Sequence, residues 1–440
     1  MRAVTVTDDA VGKSAMNKAF WRILPLVGLA YLCAYIDRVN VGFAAASMNA
    51  DLGFSATVYG LGAGLFFLGY ALFEIPSNLM LVRFGARRWI ARIMITWGLL
   101  SAAMMFVQSP MQFYGMRFVL GVAEAGFYPG VIYYFASWFP ACHRSRAVSR
   151  FFAFSPLASI VMGAASGWLL GLEGRAGLHG WQWLFIVQGL PTIFVGLIVL
   201  RNLPDAPSHV AWLTQPEKAW IESALIREQT SIGETAGHNV IAAFRHPRVL
   251  LLGCFGCLAM GLITTMLLNA PLVLASLTKL SIAQIGYVVS VGGLLGALAV
   301  LLTGNHADRY GDRWGDAAWC SAALAVALLV IGLAPSPLLV IAAYLVFATV
   351  CFAIPSLTSS GWAEVLHVRE LAVGAAAINT MSQIGAFVAP FGWGIAKDAT
   401  GSFQFALIGL SVVGMVMAAV IMLLRHQVRG KAVQFAARST

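Results

Sequence analysis

Ala34-Tyr35-Ile36-Asp37-Arg38-Val39-Asn40 sets an acid, a base and an amide two-thirds of the way along an otherwise apolar stretch, 22–46. An ionisable side chain at membrane depth costs a few kcal/mol or more, so it persists where it faces a partner, a cavity or a transported ion. Around this stretch the 440 residues are 60% hydrophobic and 10% charged, with mean hydropathy +0.81, whereas soluble domains carry roughly 25% charged residues. These values describe a polytopic membrane protein. The net charge of +10 sits in short loops between apolar runs, as the positive-inside rule requires. It reports topology, and no nucleic-acid partner is expected.

A spanning helix takes roughly 20 apolar residues. Twelve stretches qualify: 22–46, 58–81, 89–108, 111–135, 147–171, 181–201, 249–273, 285–304, 316–334, 337–360, 370–394 and 402–424. The fold class is therefore an all-α membrane protein. The chain ahead of 22 has no short apolar run ending at a small-residue cleavage site, so the first span is expected to be retained. Arg83, Arg87, Arg88, Arg92, Arg144, Arg146, Arg150, Arg309, Arg313, Arg369 and Arg425 fall on one side; Arg175, Lys279 and Lys397 fall on the other. That imbalance places both termini in the cytoplasm. Cys254 and Cys257 form a C-x-x-C with no second pair, which reads as small core residues, not a metal or redox site. No metal-ligand pattern involves the histidines, and neither metal nor cofactor is expected.

The hydrophilic stretch 203–247 divides the spans six and six. Within it Thr214-Gln-Pro-Glu217 has the form of a capping box and predicts a short cytoplasmic helix. The domains are 1–202, the linker 203–247, and 248–440. A displacement of 226 residues carries Arg22 onto Arg248 and Pro129 onto Pro355, and Arg83-Phe-Gly85-Ala-Arg87-Arg88 onto the run Arg309-Tyr-Gly311-Asp-Arg313 that closes the fuller loop starting at Gly304 and containing Asp308. Two parallel six-helix halves about a midplane site are the layout of a transporter.

The G-x-x-x-D-R-x-G-x-R run at 304–313 resembles the loop motif of the major facilitator superfamily, and the resemblance spans essentially the whole chain. It implies the major facilitator fold, with twelve transmembrane helices in two pseudo-symmetric halves. In the family this loop helps lock the cytoplasmic side, which assigns Arg83, Gly85, Arg87, Gly304, Asp308, Arg309, Gly311 and Arg313 to gating. Val82 stands at the acidic position of the first-half copy, so no charge lock is expected there. Tyr35-Ile-Asp37-Arg38-Val-Asn40-Val-Gly42, Phe73-Glu74-Ile-Pro76-Ser77-Asn78, Arg117-Phe-x-Leu-Gly121-x-x-Glu124-Ala-Gly126-Phe-x-Pro129-Gly130, Trp138-Phe139-Pro140 and Gly180-Trp181-Gln182-Trp183 look like the anion:cation symporter branch. Their wording is nearest the bacterial tartrate-type organic-anion permeases, with sugar-acid and aromatic-acid carriers as relatives. The resemblance implies a bacterial inner-membrane protein that imports a small organic acid anion with protons and works as a monomer.

Helix geometry sets the charges at comparable depths, and the resemblance, in whose fold the first and fourth spans both line the central cavity, implies that they form one connected site. At 1.5 Å per residue, Asp37 and Arg38 lie about 22 to 24 Å along the first span, while Arg117 and Glu124 lie about 9 and 20 Å along the fourth, which runs the opposite way. Arg117 and Glu124 are two turns apart on one face. Two guanidiniums at one level suit a carboxylate, so Arg38 and Arg117 are the substrate-binding candidates. Asp37 and Glu124 are the proton-coupling candidates, because burial and a nearby Arg pull a carboxyl in opposite directions. The expected pairs in the deprotonated state are Asp37 with Arg38 and Arg117 with Glu124. Static ion pairs would use the same residues, yet buried pairs contribute little to stability.

Tyr35 and Tyr70 match positions that look substrate-lining in relatives, although aromatic side chains also serve bundle packing. Asn379 is a candidate ligand for a substrate hydroxyl, against helix–helix hydrogen bonding. Gln383 is left open between the same two readings as Asn379, and Glu74 suits either an inner-loop Arg or the transported species. An exchanger or uniporter without proton coupling is the alternative function. A membrane sensor is more remote, since 203–247 is too short for an output domain, and no nucleophile–base pair points to an enzyme.

Overall fold

The computed structural model describes the backbone of residues 3–232, 247–365 and 368–438, with side chains at all of these except 3–9, 229–232, 308, 360, 363–364, 368–373, 376 and 427–438. Regular structure among the described residues is helical. The first half contains α1 (Ala3–Leu52), α2 (Ala56–Phe84), α3 (Ala86–Ala103), α4 (Pro110–Glu124), α5 (Phe127–Ala136), α6 (Ala141–Phe152), α7 (Phe154–Leu170) and α8 (Gly180–Asn202). After α9 (Gln215–Ile232) come α10 (Pro247–Thr278), α11 (Ile282–Tyr310), α12 (Arg313–Leu333), α13 (Pro337–Cys351), α14 (Ala353–Val365), α15 (Val368–Thr400) and α16 (Gln404–Arg438). Counting α4–α5, α6–α7 and α13–α14 as single broken spans, eleven helices among the described residues are long and apolar enough to cross a membrane. The twelfth expected span lies within the 33-residue α15.

Packing repeats between the halves. The pairs α1–α7, α2–α4 and α3–α8 recur as α10–α15, α11–α13 and α12–α16. Across the molecule α2 meets α15, α7 meets α11 and α1 meets α10. Backbones come close where α7 crosses α11, because Gly163 and Gly286 face one another and a Cβ on either would overlap the other's carbonyl. Ser290 then donates to the Ile160 carbonyl at 2.9 Å. At the end of the bundle remote from the termini, the Asp398 carboxylate on α15 accepts from the Ala56 and Thr57 amides at 3.0 and 2.7 Å, capping the first turn of α2. Tyr59 donates to the Leu268 carbonyl at 2.9 Å. The halves are thus closed against each other at that end.

Beyond the break of the fifth span between α6 and α7, three elements differ from the expected spans. α1 begins well ahead of residue 22, because Lys13, Ala15, Met16, Lys18 and Ala19 are good helix formers that continue it. This extension rests on α9: Glu217 takes a hydrogen bond from Ser14 at 2.7 Å and an ion pair from Lys18 at 2.8 Å, and reaches back to the Thr214 amide at 2.8 Å. The fourth span breaks after Glu124, with Ala125 extended (ψ 135°) and Gly126 left-handed (φ 84°). Only glycine suits that position, since a Cβ would also overlap the Ser77 hydroxyl on α2. The tenth span is interrupted at Phe352, 226 residues on, but that residue keeps right-handed helical angles (φ −81°, ψ −26°), so the repeat shares the position of the interruption and not its geometry. Of the two C-x-x-C residues expected in the core, Cys254 instead faces the exposed side of α10, while Cys257 is half-buried.

Candidate functional site

Asp37, Arg117 and Glu124 are buried where α1, α3, α4 and α8 converge, at 2%, 1% and 0% exposure. The ion pair formed is Arg38 with Glu124: Nη2 lies 2.8 Å and Nε 3.2 Å from Oε1. This replaces the expected Asp37–Arg38 and Arg117–Glu124 pairs. Adjacent residues on a helix point about 100° apart, so Asp37 and Arg38 cannot share one partner face; Arg38 turns toward α4 and Asp37 toward α3 and α8. Asp37 Oδ1 lies 2.6 Å from Ser101 Oγ, which lies 2.7 Å from Gln188 Oε1, and Asn40 donates to Gln188 Oε1 at 3.1 Å and to the Leu184 carbonyl at 3.3 Å.

Arg117 is left without that kind of support. Its Nε and Nη1 have no hydrogen-bond partner, and its guanidinium lies 4.9 Å from the centre of the Phe66 ring. Phe66 also faces Arg38, at 6.0 Å, so one ring serves both cations. Tyr35 and Tyr70 complete the enclosure of Arg38, at 5.5 and 5.6 Å. Phe66, Tyr70 and Glu74 recur every four residues and so form one stripe along α2. Glu74 accepts two hydrogen bonds from Asn379 Nδ2 on α15, at 2.8 and 2.9 Å. Asn379, expected to be a substrate ligand, here bridges the halves; among the described residues Glu74 takes this amide and no inner-loop Arg. Gln383, one turn further along α15, is buried, with its Oε1 unpartnered.

The arrangement is a buried set of paired and unpaired charge on α1 and α4 of the first half, with Glu74 on α2 reaching α15 of the second half. A model of the Major Facilitator Superfamily matches residues 27–390. This chain belongs to the Major Facilitator Superfamily. A protein of Agrobacterium vitis named as a tartrate transporter is 42% identical over 405 residues, covering 91% of this chain and 89% of that one. A protein of Acinetobacter baumannii named as a quinolone resistance transporter is 39% identical over 404 residues, covering 91% and 92%. Among solved structures, a bacterial homologue of the human lysosomal transporter Spinster aligns with TM-score 0.76 at 16% identity, over 92% of this chain and 96% of that one. The protein is accordingly a multi-pass membrane transporter of small molecules and not an enzyme.

In this superfamily member the two loop motifs are held differently. Arg87 pairs with Asp205 at 3.2 Å, and its backbone amide donates to the same carboxylate at 3.2 Å. An acid from the chain after α8 thus stands in for the one missing at Val82. Gly85 turns the chain with φ 86° and Arg83 lies 5.6 Å from the Phe84 ring. In the second half, Gly311 ends α11 with φ 69°, Arg309 lies 5.8 Å from the Tyr310 ring, and Gly304 has open space beside it. Asp312 caps α12 and is held by Arg425, whose Nε lies 2.9 Å away. Arg313 opens α12; the Asp308 side chain lies outside the described residues.

Ser101, Gln188 and Phe66 were missed as site residues. Phe66 had a signal in the four-residue spacing to Tyr70; Ser101 and Gln188 had none, because they meet Asp37 only through the packing of α3 and α8 on α1.

Proposed function

We propose that the protein imports a small organic acid anion together with protons, by alternating access of its two halves, 1–202 and 248–440, about the Arg38–Arg117 site. The observation that carries this reading is Arg117, a fully buried guanidinium whose Nε and Nη1 have no partner. A buried unpaired cation is costly, and an arriving carboxylate would offset that cost with a bidentate pair. In this reading Glu124 takes a proton, releases Arg38 and lets both guanidiniums hold the anion; proton loss on the opposite side restores Arg38–Glu124 and displaces it. Asp37 is the second proton site. Tyr35 and Tyr70 line the anion, and Glu74–Asn379 ties the halves on its path.

The relatives named for tartrate favour a hydroxy acid, and sugar acids share its chemistry. The protein acts as a monomer in the bacterial inner membrane with both termini cytoplasmic, and protons serve as the coupling ion without a cofactor. The test is uptake of labelled tartrate, galactonate and a quinolone into proteoliposomes, with and without an inside-alkaline gradient. Accumulation of one hydroxy-acid anion only with the gradient is the expected result. Uptake that equilibrates without concentrating would leave an exchanger or uniporter, and transport of the quinolone alone would replace the anion reading.

A further inference from the structure

The geometry points to Ser101, Gln188 and Asn40 as positioning residues that form a hydrogen-bond chain fitting Asp37 only when its carboxyl carries a proton. The inference rests on the proton-coupled reading and adds to it a lock between α1, α3 and α8. Counting hydrogens along the chain supports it. The Leu184 carbonyl can only accept, so Asn40 must present its amide nitrogen there, at 3.3 Å. The same nitrogen lies 3.1 Å from Gln188, which must therefore present its oxygen. Reversing the Gln188 amide would set two NH2 groups against each other, and reversing both amides would set the Asn40 oxygen against the Leu184 carbonyl.

That oxygen lies 2.7 Å from Ser101 Oγ, which lies 2.6 Å from Asp37 Oδ1. Ser101 owns one hydrogen and faces two acceptors. If Asp37 is ionised, either the Asp37–Ser101 or the Ser101–Gln188 contact is two bare oxygens at hydrogen-bond distance. If Oδ1 carries the proton, each of these contacts has its hydrogen: Asp37 donates to Ser101, Ser101 to Gln188, and Asn40 to Gln188 and Leu184, with Asn40 Oδ1 and Gln188 Nε2 the buried amide atoms left over among the described residues. A second observation agrees. Asp37 Oδ2 is buried without a partner, which costs far less for a neutral carboxyl than for a carboxylate.

The charged groups acting on Asp37 are Arg117 and Glu124 from α4 and Arg38 from its own helix, with the Cys33 thiol one turn away. Among the described residues, α3 and α8 face it with Ser101 and Gln188, neither of which titrates. Proton loss therefore breaks the chain at Ser101 and frees Asp37 to turn toward Arg117, which has hydrogens to donate. A proton at Asp37 locks α1 to α3 and α8, and its departure loosens them and occupies one anion-binding cation.

Infrared difference spectra of the full chain in proteoliposomes, titrated with pH, read the carbonyl stretch of the protonated carboxyl; Asp37→Asn identifies the band. Gln188→Met frees the Ser101 hydrogen for the carboxylate, so the midpoint is expected to fall by about one pH unit, the worth of one hydrogen bond. In a Ser101→Ala background the same change should move the midpoint no further. Thr96→Val, on an outer face of α3, is the control and should leave it unmoved. A band that Asp37→Asn removes, yet whose midpoint is the same in wild type, Gln188→Met and Ser101→Ala, overturns the lock and leaves proton binding at Asp37 standing. Absence of any titrating band that Asp37→Asn removes overturns both. Should Gln188→Met not fold, Asn40→Leu removes the donor that orients Gln188, and a midpoint unchanged in that variant counts against the lock equally.

Discussion

Among the described residues Arg117 is a buried guanidinium whose Nε and Nη1 have no hydrogen-bond acceptor, whereas Arg38 is held by Glu124. Arginine offers a carboxylate two parallel donors, which a lysine ammonium does not reproduce. Arg117→Lys is therefore expected to raise the half-saturation concentration for anion uptake on the order of 100-fold, with the variant still monodisperse on size exclusion. Glu124→Gln removes the carboxylate that holds Arg38 at 2.8 Å but keeps its shape. Gradient-driven accumulation should disappear while exchange of labelled for unlabelled substrate continues, checked by counterflow. Retained accumulation in both Glu124→Gln and Asp37→Asn would remove these acids from the coupling.

At the scale of elements, the break between α4 and α5 sets the end of the site. Glu124 is the last residue of α4, two before Gly126 with its φ of 84°. Gly126→Ala adds both left-handed strain, about 1–2 kcal/mol, and overlap with Ser77. A loss of about 3 kcal/mol in all should appear as a lowered thermal midpoint of the detergent-solubilised protein, together with lost uptake. Helix α9 offers a pH test. Burial raises the Glu217 carboxyl, but Lys18, Ser14 and Thr214 outweigh it and hold it at about 2, against an ordinary 4.5. A carboxyl lowered on docking stabilises the docked state fully above 4.5, and that contribution fades as pH falls toward about 2. Protection factors of the α9 amides, corrected for the intrinsic pH dependence of exchange, should be high at neutral pH and fall progressively below 4.5. In Glu217→Gln they should be low at both.

Over the whole molecule, closure at the end remote from the termini depends on small residues and one acid. Asp398 bridges the halves by capping α2, a charge at the positive end of a helix dipole worth about 0.3–1 kcal/mol. Asp398→Asn should therefore shift the balance toward the state open at that end by roughly two- to five-fold. Spin labels on the two rims, read by pulsed dipolar distances, should show a larger population of long separations. An unchanged distribution would mean that the glycine-mediated crossing of α7 and α11 and the Tyr59–Leu268 hydrogen bond hold this end shut without Asp398.

Composition, the twelve apolar stretches and the 226-residue repeat determined the fold class, because a bilayer admits few ways to satisfy a backbone and helices meet its demand locally. The same locality made Asp37, Arg38, Arg117 and Glu124 legible, since charge inside an apolar span is conspicuous without any knowledge of neighbours. Which charge meets which was decided only by tertiary structure. Arg38 took Glu124 and Arg117 took none, because side-chain direction depends on how α1 and α4 rotate against each other. Asn379 met Glu74 across 305 residues, and Asp205 supplied the charge missing at Val82. Ser101 and Gln188, ordinary residues in ordinary helices, acquired their importance from the packing of α3 and α8 around one carboxyl, and such long-range coincidence leaves no periodic mark in a sequence.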